Sequence, residues 1–367
     1  MNKMVAANLV HRPIRSLISI VAIALEVTLI LLIVGLSLGM LSDSRQRQAG
    51  IGADVIVMPP GSSFIVGLTG APMSIKVGDI LAKLPHVVTV APVVTSVATA
   101  GTIEVIAGID LASYDKLAGP FHFLSGGPFQ GPNDVLVDDL FAKAKHVKVG
   151  DTTEILNHPF RICGIVEAGK GARKFVQIGV LQDLIGAQGK ASIFYLKLDN
   201  AGNADGVVSE IKHVPGMDRY VATSMAYYLS MMTPTNYPGL SIFINVVIGI
   251  SVVIGFIVIF QAMYTAVHER TREIGILKSL GASKVYIINA VLRETLLLAI
   301  GGIVLGIVFS LAGRFGIATR FPTLRIIVTG GWILRAAIIA VIGAILGGLY
   351  PAYKAAQKDP IDALAYE

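Results

Sequence analysis

The stretch LISIVAIALEVTLILLIVGLSLGML, residues 17–41, decides the fold class. It carries one charged residue, Glu26, in 25 positions. An α-helix rises about 1.5 Å per residue, so about 20 apolar residues cross the ~30 Å hydrocarbon core of a bilayer. A signal peptide also starts basic and turns apolar, but its apolar segment is only about 7–15 residues. No small-residue cleavage motif follows cleanly. With Lys3, His11, Arg12 and Arg15 in front of it, the run reads as an uncleaved anchor whose N-terminal side is cytoplasmic.

Three more runs of this kind follow, at Leu240–Met263, from Ile287 onward with its firm apolar part at Thr295–Leu311, and at Trp332–Tyr350. The expected fold is therefore a membrane protein of four transmembrane α-helices, with an extracytoplasmic α+β domain inserted between the first and second. The segments are residues 1–41 for the cytoplasmic N-terminus and first helix, 42–239 for the domain, 240–263 for the second helix and 264–286 for an inner loop. Residues 287–313 form the third helix, 314–331 an outer loop, 332–350 the fourth helix and 351–367 a cytoplasmic tail.

Composition agrees. Charged residues make up 15% of the chain and mean hydropathy is +0.71, whereas soluble domains carry about 25% charged residues. Between Leu41 and Leu240 there are 16 basic against 17 acidic residues, so the +6 formal charge resides in the membrane segments and their flanks. Basic residues beside apolar helices mark contact with lipid headgroups, and no basic, aromatic stripe suggests nucleic acid. The inner loop carries Arg270, Arg272, Lys278 and Lys284, and the tail Lys354 and Lys358, as the positive-inside rule requires. Arg314, Arg320, Arg325 and Arg335 on the outer side run against it. Either they bind outer-leaflet phosphates or an anionic partner, or one span is misplaced. The single cysteine, Cys163, excludes an intrachain disulfide and reads as a small buried apolar residue.

The long insert is a folded domain. Ala53–Met58, Val87–Val94, Thr102–Gly108, Thr152–Leu156, Phe160–Val166 and Ser192–Leu198 read as strands, with Pro59-Pro60-Gly61 ending the first. Asp134–Val137 reads as a strand leading into a helix through Lys145. Ala204–His213 reads as a helix with Val207, Val208 and Ile211 on one side. The adjacent Asp138 and Asp139 point apart on either element and suit a solvated surface.

The inner loop, HERTREIGILKSLGASK at residues 268–284, carries the clearest local signals. Ile274, Leu277 and Leu280 recur at helical spacing, and Glu269, Arg270, Arg272, Glu273 and Lys278 supply a polar face. Gly281 is placed to stop the helix, and Ser283 to cap the next. From physics alone such a helix could dock a protein, lie on lipid, or simply connect two spans.

ERTREIGILKSLGAS, residues 269–283, closely resembles the signature of the FtsX/MacB/LolC permease family, the type VII ABC transporters. The insert stretches ADVIVMPPG, VVTVAPVV, NDVLVDDLFAKAKHVKVGDTTEI and FRICGIVEAG resemble that family's MacB-like periplasmic core domain, and YPAYKAAQKDPIDAL resembles its C-terminal tail. The resemblance covers nearly the whole chain. It implies that the loop is a coupling helix in which Glu269, Arg270, Arg272, Glu273, Ile274, Leu277 and Lys278 contact an ATPase. It also implies a non-catalytic permease subunit, a homodimer in the bacterial inner membrane with both termini cytoplasmic, and possible contact with a periplasmic adaptor. The implied work is ATP-driven mechanotransmission on a hydrophobic or amphipathic substrate. Relatives that regulate a cell-wall enzyme or serve in signalling, and transport nothing, keep a second reading open.

The other motifs weigh less. Gly164–Lys170 fits the first seven positions of a phosphate-binding loop, but Gly171 stands where Ser or Thr must bind Mg²⁺. It reads as a strand and a turn, so ATP and Mg²⁺ are expected in a separate ATPase and no cofactor on this chain. The pairs Gly35/Gly39, Gly302/Gly306 and Gly343/Gly347 allow close helix approach, within one subunit or across a dimer. Glu26 is costly in mid-span and is a candidate for pairing, substrate contact or proton binding. Asn245 and Gln261 are milder polar candidates, and Arg293 and Glu294 read as interfacial. No catalytic constellation appears, and no two of the seven histidines sit at a metal-ligand spacing on one element.

Overall fold

The computed structural model of the chain describes residues 13–62, 71–98 and 104–358. Lys3, His11, Arg12, the side chain of Arg15, the start of the strand expected from Thr102, and the tail beyond Lys358 lie outside the described residues. In chain order the elements begin with α1 (Pro13–Ala49), β1 (Val55–Met58), β2 (Met73–Ser74), α2 (Val77–Leu81), β3 (Val87–Ala98) and β4 (Glu104–Ile109). Then come α3 (Leu111–Ala118), β5 (Phe123–Gly126), β6 (Asp134–Asp138), α4 (Asp139–Lys145), β7 (Thr152–Ile155) and β8 (His158–Val166). They continue with β9 (Lys174–Gln177), α5 (Ile178–Leu184), β10 (Lys190–Ala191), β11 (Ile193–Leu198), α6 (Ala204–His213), β12 (Val221–Ser224) and α7 (Met225–Met231). The chain closes with α8 (Pro238–Glu269), α9 (Thr271–Ser279), α10 (Lys284–Arg320) and α11 (Gly330–Gln357).

Contacts divide the chain into an α/β unit, Met40–Pro238 with Arg320–Arg325, and a helical unit. The α/β unit is built on one mixed sheet in the order β12-β1-β11-β3-β4-β9-β6-β8-β5, with β7 on β8. Among the described residues, only β4 with β9 and β6 with β8 pair parallel in it. Side chains alternate across a strand, and here both faces are apolar. Ile56 and Met58 of β1 join one core with Tyr114, Phe175 and Tyr195, while Val55 and Val57 join another with Val207 and Ile211. Val94, Val135, Phe160 and Leu181 form a third.

Cys163 is buried, as a small apolar residue should be. The stretch after β8 is a turn, its Lys170 ammonium donating to the Gly119 and Pro120 carbonyls. Asp138 corrects the expectation of a solvated surface. Its carboxylate is buried, accepts from the Phe141 amide at 2.6 Å to cap α4, and pairs with Arg173 at 2.9 Å. Burial pushes its carboxyl up and Arg173 pulls it back. Asp139 instead pairs with Lys143 at 2.6 Å and accepts from the Ala168 amide.

The four long helices are all long and apolar enough to cross a membrane. Each outruns its apolar core. α8 continues past Met263 to Glu269, α10 past residue 313 to Arg320, and α11 past Tyr350 to Gln357. Backbone hydrogen bonding does not stop where hydropathy falls, so polar ends stay helical. Arg314 and Arg320 therefore belong to α10, and Arg335 to α11, where its guanidinium lies 4.9 Å from the Trp332 ring centre.

Glycines set the helix contacts. In lipid there is little hydrophobic drive between helices, so small residues that admit close backbone approach decide the packing. Gly302 and Gly306 seat Ile23, the Ala24 carbonyl and Val27 of α1 against α10. The Thr28 hydroxyl donates to the Gly306 carbonyl at 3.1 Å across that contact. Gly347 admits the Phe256 carbonyl and Ile259 of α8, and Gly348 faces Thr295 of α10. These contacts lie within one subunit, which is the intrasubunit use of the motif.

Gly35 of the first pair faces a non-helical stretch. Gly35 meets Ile326 and Ile327, which lie in the non-helical stretch between α10 and α11, and its carbonyl accepts from the Ile327 amide at 2.9 Å. Gly39 is buried as well, but it is the residue at which α1 leaves the helical unit, since Met40 already belongs to the α/β unit. A helix-packing pair needs both of its glycines against one neighbouring helix. Gly35 lies against a non-helical segment, whereas Gly302 and Gly306 lie against a helix.

The two glycines of the last pair make a sharp test. A Cβ on Gly347 would meet the Phe256 carbonyl oxygen at 3.0 Å, while one on Gly343 would meet nothing within 4 Å. Gly347→Ala is expected to lower the thermal denaturation midpoint in detergent, at a cost of about 1–3 kcal/mol from overpacking, and Gly343→Ala to leave it unchanged. Equal effects would show that the pair acts elsewhere.

Candidate functional site at the loop helix

The site begins with a break in the helix. α8 stops at Glu269, and the Thr271 hydroxyl reaches back to the Val267 and His268 carbonyls. α9 then runs for two and a half turns and stops at Gly281, whose φ of +92° only glycine adopts without strain. The Gly281 amide donates to the Lys278 carbonyl and the Ala282 amide to the Leu277 carbonyl, which satisfies the helix end. Ser283 starts α10, its hydroxyl accepting from the Tyr286 amide at 3.2 Å. The stop and cap read from the sequence are both in place.

Three side chains fasten α9 to the rest of the helical unit. Arg270 Nη1 lies 2.9 Å from Glu294 Oε2 of α10, with side chains only 11% and 8% exposed. Ile274 is buried with Val267, Ile287, Ala355 and Ala356. The Lys278 ammonium donates to the Ala356 carbonyl at 3.0 Å and to the Lys358 carbonyl. A cation there satisfies the orphan carbonyls at the end of α11 and opposes its dipole. One short helix is thus bonded to both α10 and α11.

The other face is open. Glu269, Arg272 and Glu273 are exposed. So are two apolar residues, Ile276 at 45% and Leu280 at 81%. The predicted contact residues therefore divide. Arg270, Ile274 and Lys278 are turned into the chain, Leu277 is half-buried, and Glu269, Arg272 and Glu273 face outward. Leu280 leaves the expected apolar stripe because α9 ends at Ser279, one residue before it. Ile276 was not singled out from the sequence; it falls between the apolar positions that the helical period picks out. Glu294 is likewise a buried partner of Arg270 and not an interfacial residue.

Within the span, the buried Glu26 carboxyl sits directly over Gly255 of α8, where any Cβ would collide with it. Its Oε1 has no hydrogen-bond partner among the described residues. Asn245 and Gln261 are exposed, and Gln261 borders a cleft between α1 and α8 with Ser19 and Thr265. No cluster of potential metal ligands occurs among the described residues.

A second charged group escaped the sequence reading. Asp43 in α1 pairs with Arg173 at 3.0 Å and with Arg47, and Arg173 also holds Asp138. Asp43 and Arg173 are 130 positions apart, so no local pattern announces the pair.

The profile of the FtsX-like permease C-terminal family matches residues 245–360, and that of the MacB-like periplasmic core domain matches residues 16–214. The chain belongs to the FtsX/MacB-like family of ABC permeases. It is 24% identical over 383 aligned positions to the macrolide export ATP-binding/permease protein MacB of Shewanella sp., covering 97% of this chain and 59% of that protein. It is 42% identical over 128 positions to the uncharacterized ABC transporter permease YknZ of Bacillus subtilis, covering 34% of this chain and 31% of that one. The chain thus spans less than two thirds of either relative. The periplasmic region of MacB from Actinobacillus actinomycetemcomitans aligns over 50% of this chain and 94% of its own, at 16% identity and a TM-score of 0.39. The FtsX-like match takes in α9 and all the residues that fasten it.

The Arg270–Glu294 pair gives the permease a testable joint. Removing one member of a buried ion pair leaves an uncompensated charge and costs about 3–5 kcal/mol, whereas an apolar replacement of both is often neutral. Arg270→Ala and Glu294→Ala are each expected to lower the denaturation midpoint in detergent, and Arg270→Met with Glu294→Leu to recover most of the loss. A double variant as unstable as the single ones would refute the pairing as the cause.

Proposed function

We propose that this permease is the membrane subunit of an ABC transporter and is worked by a separate ATPase that docks on α9. The observation that carries the reading is the two-sidedness of α9. Its inner face is bonded to α10 by Arg270 and to α11 by Lys278. Its outer face offers Glu269, Arg272, Glu273, Ile276 and Leu280. An apolar centre rimmed by charge suits a protein interface. A push received on that face reaches α10 through a buried ion pair and α11 through bonds to its last carbonyls. A helix resting on lipid would need no such fastening.

In this reading the termini and α9 are cytoplasmic, and the α/β unit lies on the outer side of the bacterial inner membrane. Two copies form the permease, possible contact with a periplasmic adaptor being left to the outer unit. ATP and Mg²⁺ belong to the ATPase; its hydrolysis moves the outer units against each other and drives out a hydrophobic or amphipathic substrate. The likeness to a macrolide export protein supports export as the direction of work.

The test is purification from the host in mild detergent, with an ATPase assay of what co-purifies. The unaltered chain is expected to bring down an ABC ATPase with hydrolysis above background. Ile276→Asp with Leu280→Asp should reduce the bound ATPase at least tenfold, because charge placed in an apolar interface centre stays desolvated and unpaired. Val246→Ala, on the exposed face of α8, should not. Retention of the ATPase by the aspartate variant, or its absence from the unaltered chain, would overturn the reading.

A further inference from the structure

One face of the α/β unit carries a groove with two dissimilar sections. The first, of 270 Å³, is lined by Met58, Val93, Ile193, Tyr195, Tyr228 and Met232, among others. The second, of 410 Å³, is lined by Asp43, Arg47, Glu104, Lys145, Arg173 and Lys174, with Phe141 and Leu324 beside them. Ser44, Gln48, Val105, Gly171 and Ala172 border both, so the two adjoin. Sites for small ligands are concave, mostly apolar, about 300–1,000 Å³ in volume, and carry a few convergent polar groups. This groove has those dimensions and that composition, with its polar groups gathered at one end.

The polar end is short of negative charge. Lys174 is matched to Glu104 at 2.6 Å. Asp43 is shared between Arg47 and Arg173, and Asp138 occupies the other edge of Arg173. Lys145 forms no hydrogen bond or ion pair among the described residues, and it ends α4 exposed at the rim. Arg47 is pushed down to about 10 by burial and by the Arg173 guanidinium beside it. Four cations thus stand against three carboxylates, Asp43, Glu104 and Asp138, and Lys145 is the one left unmatched. A carboxylate or phosphate entering it would meet the unmatched Lys145 ammonium, with the oriented guanidiniums of Arg47 and Arg173 in the same lining.

We propose that the groove binds an amphipathic anion, its apolar body among Met58, Tyr195 and Tyr228 and its carboxylate or phosphate head at Arg47, Lys145 and Arg173. A cationic or neutral amphiphile gains the same apolar contacts and lacks the head interaction, so the groove selects by charge. The inference rests on the proposed function only in treating the ligand as cargo. The same chemistry is offered by a free amphiphile and by an anionic lipid headgroup.

The test uses the full chain with Ser44→Cys, reconstituted in phosphatidylcholine nanodiscs, and follows the rate of maleimide labelling. Cys163 is buried and contributes little background. Decyl phosphate at submicellar concentration is expected to slow labelling at least fivefold, and decanol, decyltrimethylammonium and inorganic phosphate to slow it less than twofold. Lys145→Glu, at an exposed position where folding is not at stake, should abolish that difference. Val105→Trp, which fills the junction of the two sections, should remove protection by every probe. Protection in phosphatidylglycerol nanodiscs without added probe would support the site and assign the ligand to the lipid headgroup. Equal protection by decyltrimethylammonium, full protection by inorganic phosphate alone, no protection by decyl phosphate, or an unchanged preference in Lys145→Glu would each overturn the proposal. Labelling needs no ATPase, so failure of an ATPase to co-purify would refute the transporter reading and leave this result standing.

Discussion

The helical unit depends on how closely its helices can approach. Apolar side chains gain nothing by leaving lipid for one another, so four helices hold together only where backbones come near enough for dispersion and polar contacts to accumulate. α1 illustrates the constraint on both of its sides. Toward α10 it meets Gly302 and Gly306, and toward α8 it lays Glu26 over Gly255. A carboxyl in the hydrocarbon region is tolerable only if shielded. Gly255 supplies the shield by leaving room for it, and that recess brings the two backbones together. The costly residue and the missing side chain are one feature of the packing.

The same economy governs the loop helix. A nine-residue helix is too short to be stable alone, so α9 persists because it is bonded to its neighbours. Its amphipathic character does not distinguish lipid from protein as the occupant of its open face. The bonds on its closed face do more. Arg270 reaches α10 and Lys278 reaches the end of α11. Displacing α9 would have to break a buried pair and uncover carbonyls, and moving the three helices together is the cheaper response.

Much of this was legible in the sequence, for reasons that also mark the limits. Residues 204–213 carry a helical period between clear ends, and they form α6 with those bounds. The strand at Asp134 and its following helix to Lys145 were legible because a short apolar run with β-branched residues leads into a stretch of helix formers. β9 was not, since it opens with Lys174, a buried lysine whose partner Glu104 lies on β4. Parallel pairing of β4 with β9 and of β6 with β8 leaves no local trace either. Three glycine pairs share one spacing, yet Gly302/Gly306 seats a helix while Gly35 meets a non-helical segment, because spacing does not say what lies opposite. In the loop, Gly281 and Ser283 announced the stop and the cap, but the burial of Ile274 and the exposure of Leu280 depend on Ile287, Ala355 and Ala356, which arrive from elsewhere in the chain. Asp138 and Asp139 show the limit most plainly. Adjacent and alike, one is buried against Arg173 and the other holds an exposed lysine.

α1 extends the argument beyond any single site. It is one helix of 37 residues with no proline after Pro13. Its middle turns pack on Gly302 and Gly306, and its last turns carry Asp43 and Arg47, which Arg173 ties to Asp138 and so to the cap of α4 on the sheet. Its middle turns are held by close backbone contact and its last turns by a carboxylate shared between two guanidiniums, and each is expensive to break. Within the α/β unit, a guanidinium bonded to two carboxylates on different elements cannot shift without exposing unpaired charge.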